Sequence, residues 1–85
     1  MSVKVNRKQV RLGQNVRVKG TAKPADTVRL TLDRRVRRHW KRERVRTLRV
    51  RNGAFQVKIR PRGRGRYHLK IQKGRVKRVR SLRVF

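Results

Sequence analysis

The chain has 85 residues, of which 30 are lysine or arginine and only three are acidic, giving a formal charge of +27, and it has no cysteine. That length predicts one domain over residues 1–85 with a modest core, burying about 60–65% of the surface its unfolded form exposes. Missing cysteine excludes disulfides, thiolate metal sites and thiol catalysis, and the three carboxylates leave almost no material for paired-carboxylate chemistry. A surface of one sign repels itself unless counterions or a polyanion screen it. Codon bias can explain why arginine outnumbers lysine 21 to 9, but not the scarcity of aspartate and glutamate. The charge calls for a partner.

In chain order, the hydropathy pattern has period two and not the helical 3.6. The opening "MSVKVNRKQVRLGQNV" predicts a strand near 3–11, with a parity slip between Val5 and Val10 that marks a bend or bulge. It lacks the apolar core and cleavage site of a signal peptide, and no run in the chain approaches the length of a membrane span. After the turn "LGQN", Val16 and Val18 flank Arg17 in a strand over 15–21. "KPAD" (23–26) reads as a turn, with Asp26 a turn former. Val28, Leu30 and Leu32 then alternate with polar residues over 27–34. Strands over 39–45 and 46–51 follow a short excursion, and Asn52-Gly53 predicts a tight hairpin into 54–60, where Phe55, Val57 and Ile59 alternate. "PRGRG" (61–65) and "QKG" (72–74) bracket a strand over 66–72 carrying Tyr67, Leu69 and Ile71. A last strand lies near 78–85, with a second parity slip between Val79 and Leu82. Seven or eight short strands, each apolar on one face, predict an all-β antiparallel sandwich, the alternative being a small OB- or SH3-like barrel.

The stretches "VRVKGTAKPADTVRLTL", "HWKRE" and "NGAFQVKIRPRGRGRYHLKI" together resemble the immunoglobulin-like β-sandwich repeats of bacterial surface and secreted proteins. Those repeats carry a G-x-A-x-P turn leading into V-x-L-x-L, a lone Trp, then G-x-F-x-V and a Gly-containing turn into Y-x-L-x-I. The resemblance covers roughly residues 10–85 and implies an Ig-like sandwich with Trp40 in its core, the preferred reading over one in which Trp40 stacks on an exposed base for about 1–3 kcal/mol. It also implies that Tyr67 occupies a tyrosine-corner position, its hydroxyl tying a turn to the strand. The chain departs from the pattern in having Arg37 and Arg38 before the Trp, and in lacking most of the usual acidic residues.

Basic residues gather in three sequence clusters, which form the candidate nucleic-acid-binding set. The first is "DRRVRRHWKRERVR" (33–46), with Arg34, Arg35, Arg37, Arg38, Lys41, Arg42 and Arg44. The second is "IRPRGRGRY" (59–67), with Arg60, Arg62, Arg64 and Arg66. It resembles the AT-hook of chromatin proteins, whose Pro-Arg-Gly-Arg-Pro core lies in the minor groove, although Gly65 stands where the last proline belongs. A plain loop between strands, ended by Pro61 and turned by Gly63 and Gly65, is the preferred reading, and its arginines still suit phosphates. The third is "KGRVKRVRSLR" (73–83), with Lys73, Arg75, Lys77, Arg78 and Arg80. Asp33 and Glu43 are expected in exposed ion pairs with neighbouring arginines, each worth about 0–1 kcal/mol. His39 and His68 have no second ligand nearby in sequence, so neither is expected to hold a metal.

With Phe55, Tyr67 and Trp40 assigned to the core, few aromatic residues remain for stacking, and binding is expected to rest on phosphates and shape. The expectation is therefore a non-enzymatic protein without cofactor or metal, structural and largely sequence-independent. Its expected partner is a polyanion, rRNA a little ahead of chromatin DNA, with ribosomal or chromatin proteins as neighbours. Taken as a complete chain it is expected in the cytoplasm, at the ribosome or nucleoid. Two alternatives stay open. One is an Ig-like module of an exported or cell-surface protein that binds acidic polymers or serves as a spacer. The other is a deliberately supercharged scaffold with no native partner.

Overall fold

The computed structural model describes residues 1–23 and 26–85. Period-two alternation becomes eight strands: β1 (Ser2–Val5), β2 (Gln9–Val10), β3 (Val16–Thr21), β4 (Thr27–Val36), β5 (His39–Arg49), β6 (Ala54–Ile59), β7 (Gly65–Lys73) and β8 (Val76–Val84). They form a three-stranded sheet ordered β1-β3-β6 and a five-stranded sheet ordered β2-β8-β7-β4-β5. The fold is an all-β sandwich and not a closed barrel. Every pairing is antiparallel except that of β2 with β8, which is parallel. The alternating apolar residues turn inward as one cluster. Val16, Val18, Phe55, Val57 and Ile59 come from the small sheet, and Val28, Leu30, Leu32, Tyr67, Leu69, Ile71, Leu82 and Val84 from the large one. Fully burying a side chain of this size is worth about 1.5–3 kcal/mol, and this drive holds the layers together against the charge outside.

The first parity slip marks a change of sheet. β1 pairs with β3, and the chain then crosses to lay β2 beside β8 in the other layer. Asn6 secures the crossing: its N–H donates to the Arg17 carbonyl at 3.0 Å, and its side-chain oxygen accepts from the Arg17 N–H at 2.8 Å. The expected strand over 3–11 is thus two strands. The second slip is not a bulge, since β7 and β8 stay in register from Lys73↔Val76 to Gly65↔Val84. Val79 simply faces outward and is exposed.

The strands expected at 39–45 and 46–51 are one, β5. Asn52 and Gly53 do form a tight turn, both with positive φ (52° and 76°). Arg51 and Ala54 exchange hydrogen bonds of 2.8 and 2.9 Å across it. Yet β5 and β6 lie in opposite sheets, so the turn is a corner between layers and Leu48 does not pair with Phe55. Of the expected "KPAD" turn, Pro24 and Ala25 lie outside the described residues, and the Asp26 carbonyl accepts from the Val50 N–H at 2.8 Å.

A register shift in β4–β5 has the largest consequence. Leu32 pairs with Arg44 and the next residue, Asp33, pairs with Arg42, leaving Glu43 as an extra residue in β5. Counted back from the buried Leu48, Trp40 has core parity. The added residue reverses the phase, and Trp40 emerges on the outer face, 40% exposed. The expectation of a core tryptophan is corrected: Trp40 does not fill the sandwich.

Candidate nucleic-acid interface

The β4–β5 hairpin, turned at Arg37-Arg38 with Arg37 at φ 57°, carries the first basic cluster, and the 60–64 loop carries the second. The fold brings the two together. Arg34, Lys41 and Arg62 line a cleft of about 410 Å³ with Glu43. Beside it Arg44, Lys58, Arg60 and Arg62 line a second, polar depression. The Arg34 guanidinium lies over Gly63, where a Cβ would collide with it. Arg34 Nε is buried and has no hydrogen-bond partner among the described residues. Arg42 also lines the first cleft, and Arg35, Arg37, Arg38, Arg64 and Arg66 are exposed.

Tyr67 holds this end in shape. Its hydroxyl accepts from the Gly63 N–H at 3.1 Å and shares its proton between the Gly63 carbonyl at 2.8 Å and Glu43 Oε1 at 3.2 Å. Glu43 Oε2 also accepts from the Arg62 N–H at 3.4 Å. The 60–66 segment is thus a closed turn tied to β7, the plain-loop reading, with Tyr67 tying turn to strand as the corner position implies. Burial pushes the Tyr67 pKa above its ordinary 10.0; the Glu43 charge adds to this, and the hydrogen bond with Gly63 opposes it.

The third cluster is elsewhere. Lys73 and Arg75 sit at the β7–β8 hairpin, eight residues of β7 away from Gly65, or about 26 Å at ~3.3 Å per residue. Lys77, Arg78 and Arg80 follow along β8, with Arg78 and Arg80 each donating to the carbonyl of the preceding residue. Sequence clusters one and two make one end of the sandwich; cluster three starts at the other end and runs back along β8 until its last residue, Arg83, pairs with Arg66.

The acidic residues are not where exposed ion pairs would put them. Asp33, on the outer face of β4 between β7 and β5, is only 6% exposed. It bonds Lys70 Nζ of β7 at 3.1 Å and lies 3.6 Å from Arg42 Nε of β5. Its lysine partner was not foreseen, because the β4–β7 pairing is invisible in sequence. Glu43 serves Tyr67 and Arg62, as above.

On the same outer face, Trp40 stacks on His68 with ring centroids 3.8 Å apart and planes 18° from parallel. β4 lies between their strands, with Arg35 opposite Trp40 and Asp33 opposite His68. The Arg35 guanidinium carbon is 5.9 Å from the indole centroid, within cation–π range. An open cleft of about 580 Å³ runs from this stack to Arg66, Arg83 and Lys8. Trp40, His68, Lys8 and Arg83 were outside the basic set expected from sequence. Arg66, His68 and Arg83 do have outward parity in the sequence, but only pairing register sets them side by side. Among the described residues no group of three or more histidines and carboxylates could hold a metal, and no helix is long and apolar enough to cross a membrane.

No protein-family model matches this chain, and no curated protein matches it.

Proposed function

We propose that this chain is a structural nucleic-acid-binding protein whose lysines and arginines neutralise phosphates, largely without regard to sequence. Ribosomal RNA is the preferred partner and chromatin DNA the next. One observation carries the reading. Across strand pairs Lys4 faces Lys19, Arg17 faces Lys58 and Arg66 faces Arg83. Like charges directly opposite destabilise a sheet, and two of the three carboxylates, Asp33 and Glu43, are engaged within the fold instead of relieving them. A polyanion turns each of these pairs into a seat for phosphate, and arginine's fork suits that geometry. The residues assigned to this work are those of the hairpin end, Arg34 to Arg44 and Arg60 to Arg66, with Lys73 to Arg80 gripping a second stretch of backbone. No catalytic role is assigned.

Sedimentation of the native protein from its own cells, with and without nucleases, tests the reading. Migration with ribosomal subunits that RNase abolishes is the expected result, with DNase sensitivity moving the partner to DNA. Purified protein contacting about 6–10 phosphates loses affinity ~10³–10⁵-fold between roughly 50 and 200 mM salt.

A second reading, kinship with Ig-like repeats of exported proteins, is supported by the strand order β1-β3-β6 facing β2-β8-β7-β4-β5 and by the Tyr67 tie. Nuclease-indifferent recovery with the cell envelope favours it and overturns the nucleic-acid reading.

A further inference from the structure

Phosphate binding requires no aromatic ring, yet the chain's single tryptophan is held on the most basic kind of surface. A small fold gains most by burying such a side chain. Here one extra residue in β5 turns it outward, and it lies against His68 as a ready-made flat surface. On β4, between the two rings' strands, Asp33 stands opposite His68 and is buried, bridged to Lys70. Arg35, Arg66, Arg83 and Lys8 border the same cleft, so cations stand around the rings where a nucleotide's phosphates would lie.

We propose that the Trp40–His68 stack is a platform for an unpaired base of RNA, with Arg35, Arg66 and Arg83 holding the flanking phosphates. The proposal rests on the nucleic-acid reading and deepens it. Bases in a continuous duplex already stack on one another, so an indole face reaches only those in loops, bulges, ends or single strands. Folded RNA presents such bases routinely, and aromatic side chains on a sheet are a recurrent way to receive them. The cleft's volume lies within the usual range for small organic ligands, about 300–1,000 Å³. A polyanion without bases would engage the arginines and leave the rings untouched.

Because Trp40 is the only tryptophan, its emission reports this site alone. The full chain is titrated with a single-stranded RNA oligomer, a blunt RNA duplex, single-stranded DNA of the same sequence, and heparin. Affinities are read in parallel from the anisotropy of labelled oligomers. The single-stranded RNA is expected to quench Trp40 strongly, and heparin and the duplex weakly. Trp40→Ala is expected to weaken single-stranded RNA binding about 5- to 150-fold with duplex binding and the salt slope unchanged. Trp40→Phe, which keeps a stacking ring and guards against a misfolded alanine variant, retains most of the affinity. Unpaired RNA that binds with neither quenching nor loss in Trp40→Ala overturns the platform and leaves the phosphate reading standing. Equal quenching by heparin overturns it too, and tighter binding of single-stranded DNA overturns the choice of RNA. Failure to bind any nucleic acid at low salt overturns both.

Discussion

The two sheets begin from the same alternation and present different outer faces. That of the three-stranded sheet is mostly plain charge, Lys4 against Lys19 and Arg17 against Lys58, varied by Ala54, Gln56 and a Ser2–Thr21 hydroxyl contact of 2.7 Å. That of the five-stranded sheet carries a buried carboxylate, a lysine drawn onto it and a stacked indole–imidazole pair. The difference is one of width. A side chain on β3 has a single neighbouring strand on either side before the edge, whereas β4 and β7 lie in a five-stranded layer whose long side chains close over Thr31 and Asp33. Coverage lets the wide face hold polar groups in defined positions; the narrow one leaves them to solvent.

Removing the extra residue attacks this contrast most directly. Deletion of Glu43 restores a single phase along β5, turns Trp40 off the outer face and strips Tyr67 and Arg62 of their acceptor. Lost acceptors alone cost about 1–3 kcal/mol, so urea unfolding at fixed salt shows the largest drop of the series, together with a shift in Trp40 emission. An emission spectrum identical to that of the parent shows that the bulge does not orient Trp40.

Charge removal sharpens the contrast. Asp33→Asn leaves Lys70 and Arg42 crowded without an anion and is expected to cost about 1–2 kcal/mol, discounted because both partners reach solvent. Lys19→Gln on the narrow face is expected within about 0.5 kcal/mol of the parent, on the stabilising side since it relieves repulsion. Equal destabilisation by the two substitutions in chemical unfolding erases the distinction between the faces.

Among the destabilising changes Tyr67→Phe gives the smallest loss, about 0.5–1.5 kcal/mol for the hydroxyl's hydrogen bonds, read as a lower thermal midpoint. Its pH dependence has a defined sign. Burial raises the Tyr67 pKa in the folded state above 10.0, so the native state holds that proton more tightly than the unfolded one. The contribution is full below about pH 10 and is lost as pH climbs through the folded value. The parent therefore destabilises more steeply than Tyr67→Phe above that point, and parallel alkaline profiles count against the buried hydroxyl as the cause.

Local pattern made much of this molecule legible. Parity alone identified Val28, Leu30, Leu32, Phe55, Val57, Ile59, Leu69 and Ile71 as core, and all are buried. Asn52-Gly53 was readable as a turn because a two-residue turn with positive φ suits those residues. The resemblance to Ig-like repeats located the tie made by Tyr67. Sequence clustering of arginines, in contrast, was a poor guide to the site. It separated the β4–β5 hairpin from the 60–64 loop, which the fold joins around Arg34, Lys41 and Arg62. It also passed over Lys8 and left Arg83 with the third cluster, although both share the cleft of Trp40.

What the sequence determined by itself was the side of each strand that meets water, because alternation is a property of neighbouring residues and the apolar face must be buried wherever the strand goes. Only tertiary structure decided which strands lie beside one another, and with them the partners of Asp33 and the position of the indole. Those depend on register, where a single inserted residue reverses the phase of everything beyond it. Glu43 is that residue, and its placement decides that Trp40 faces solvent.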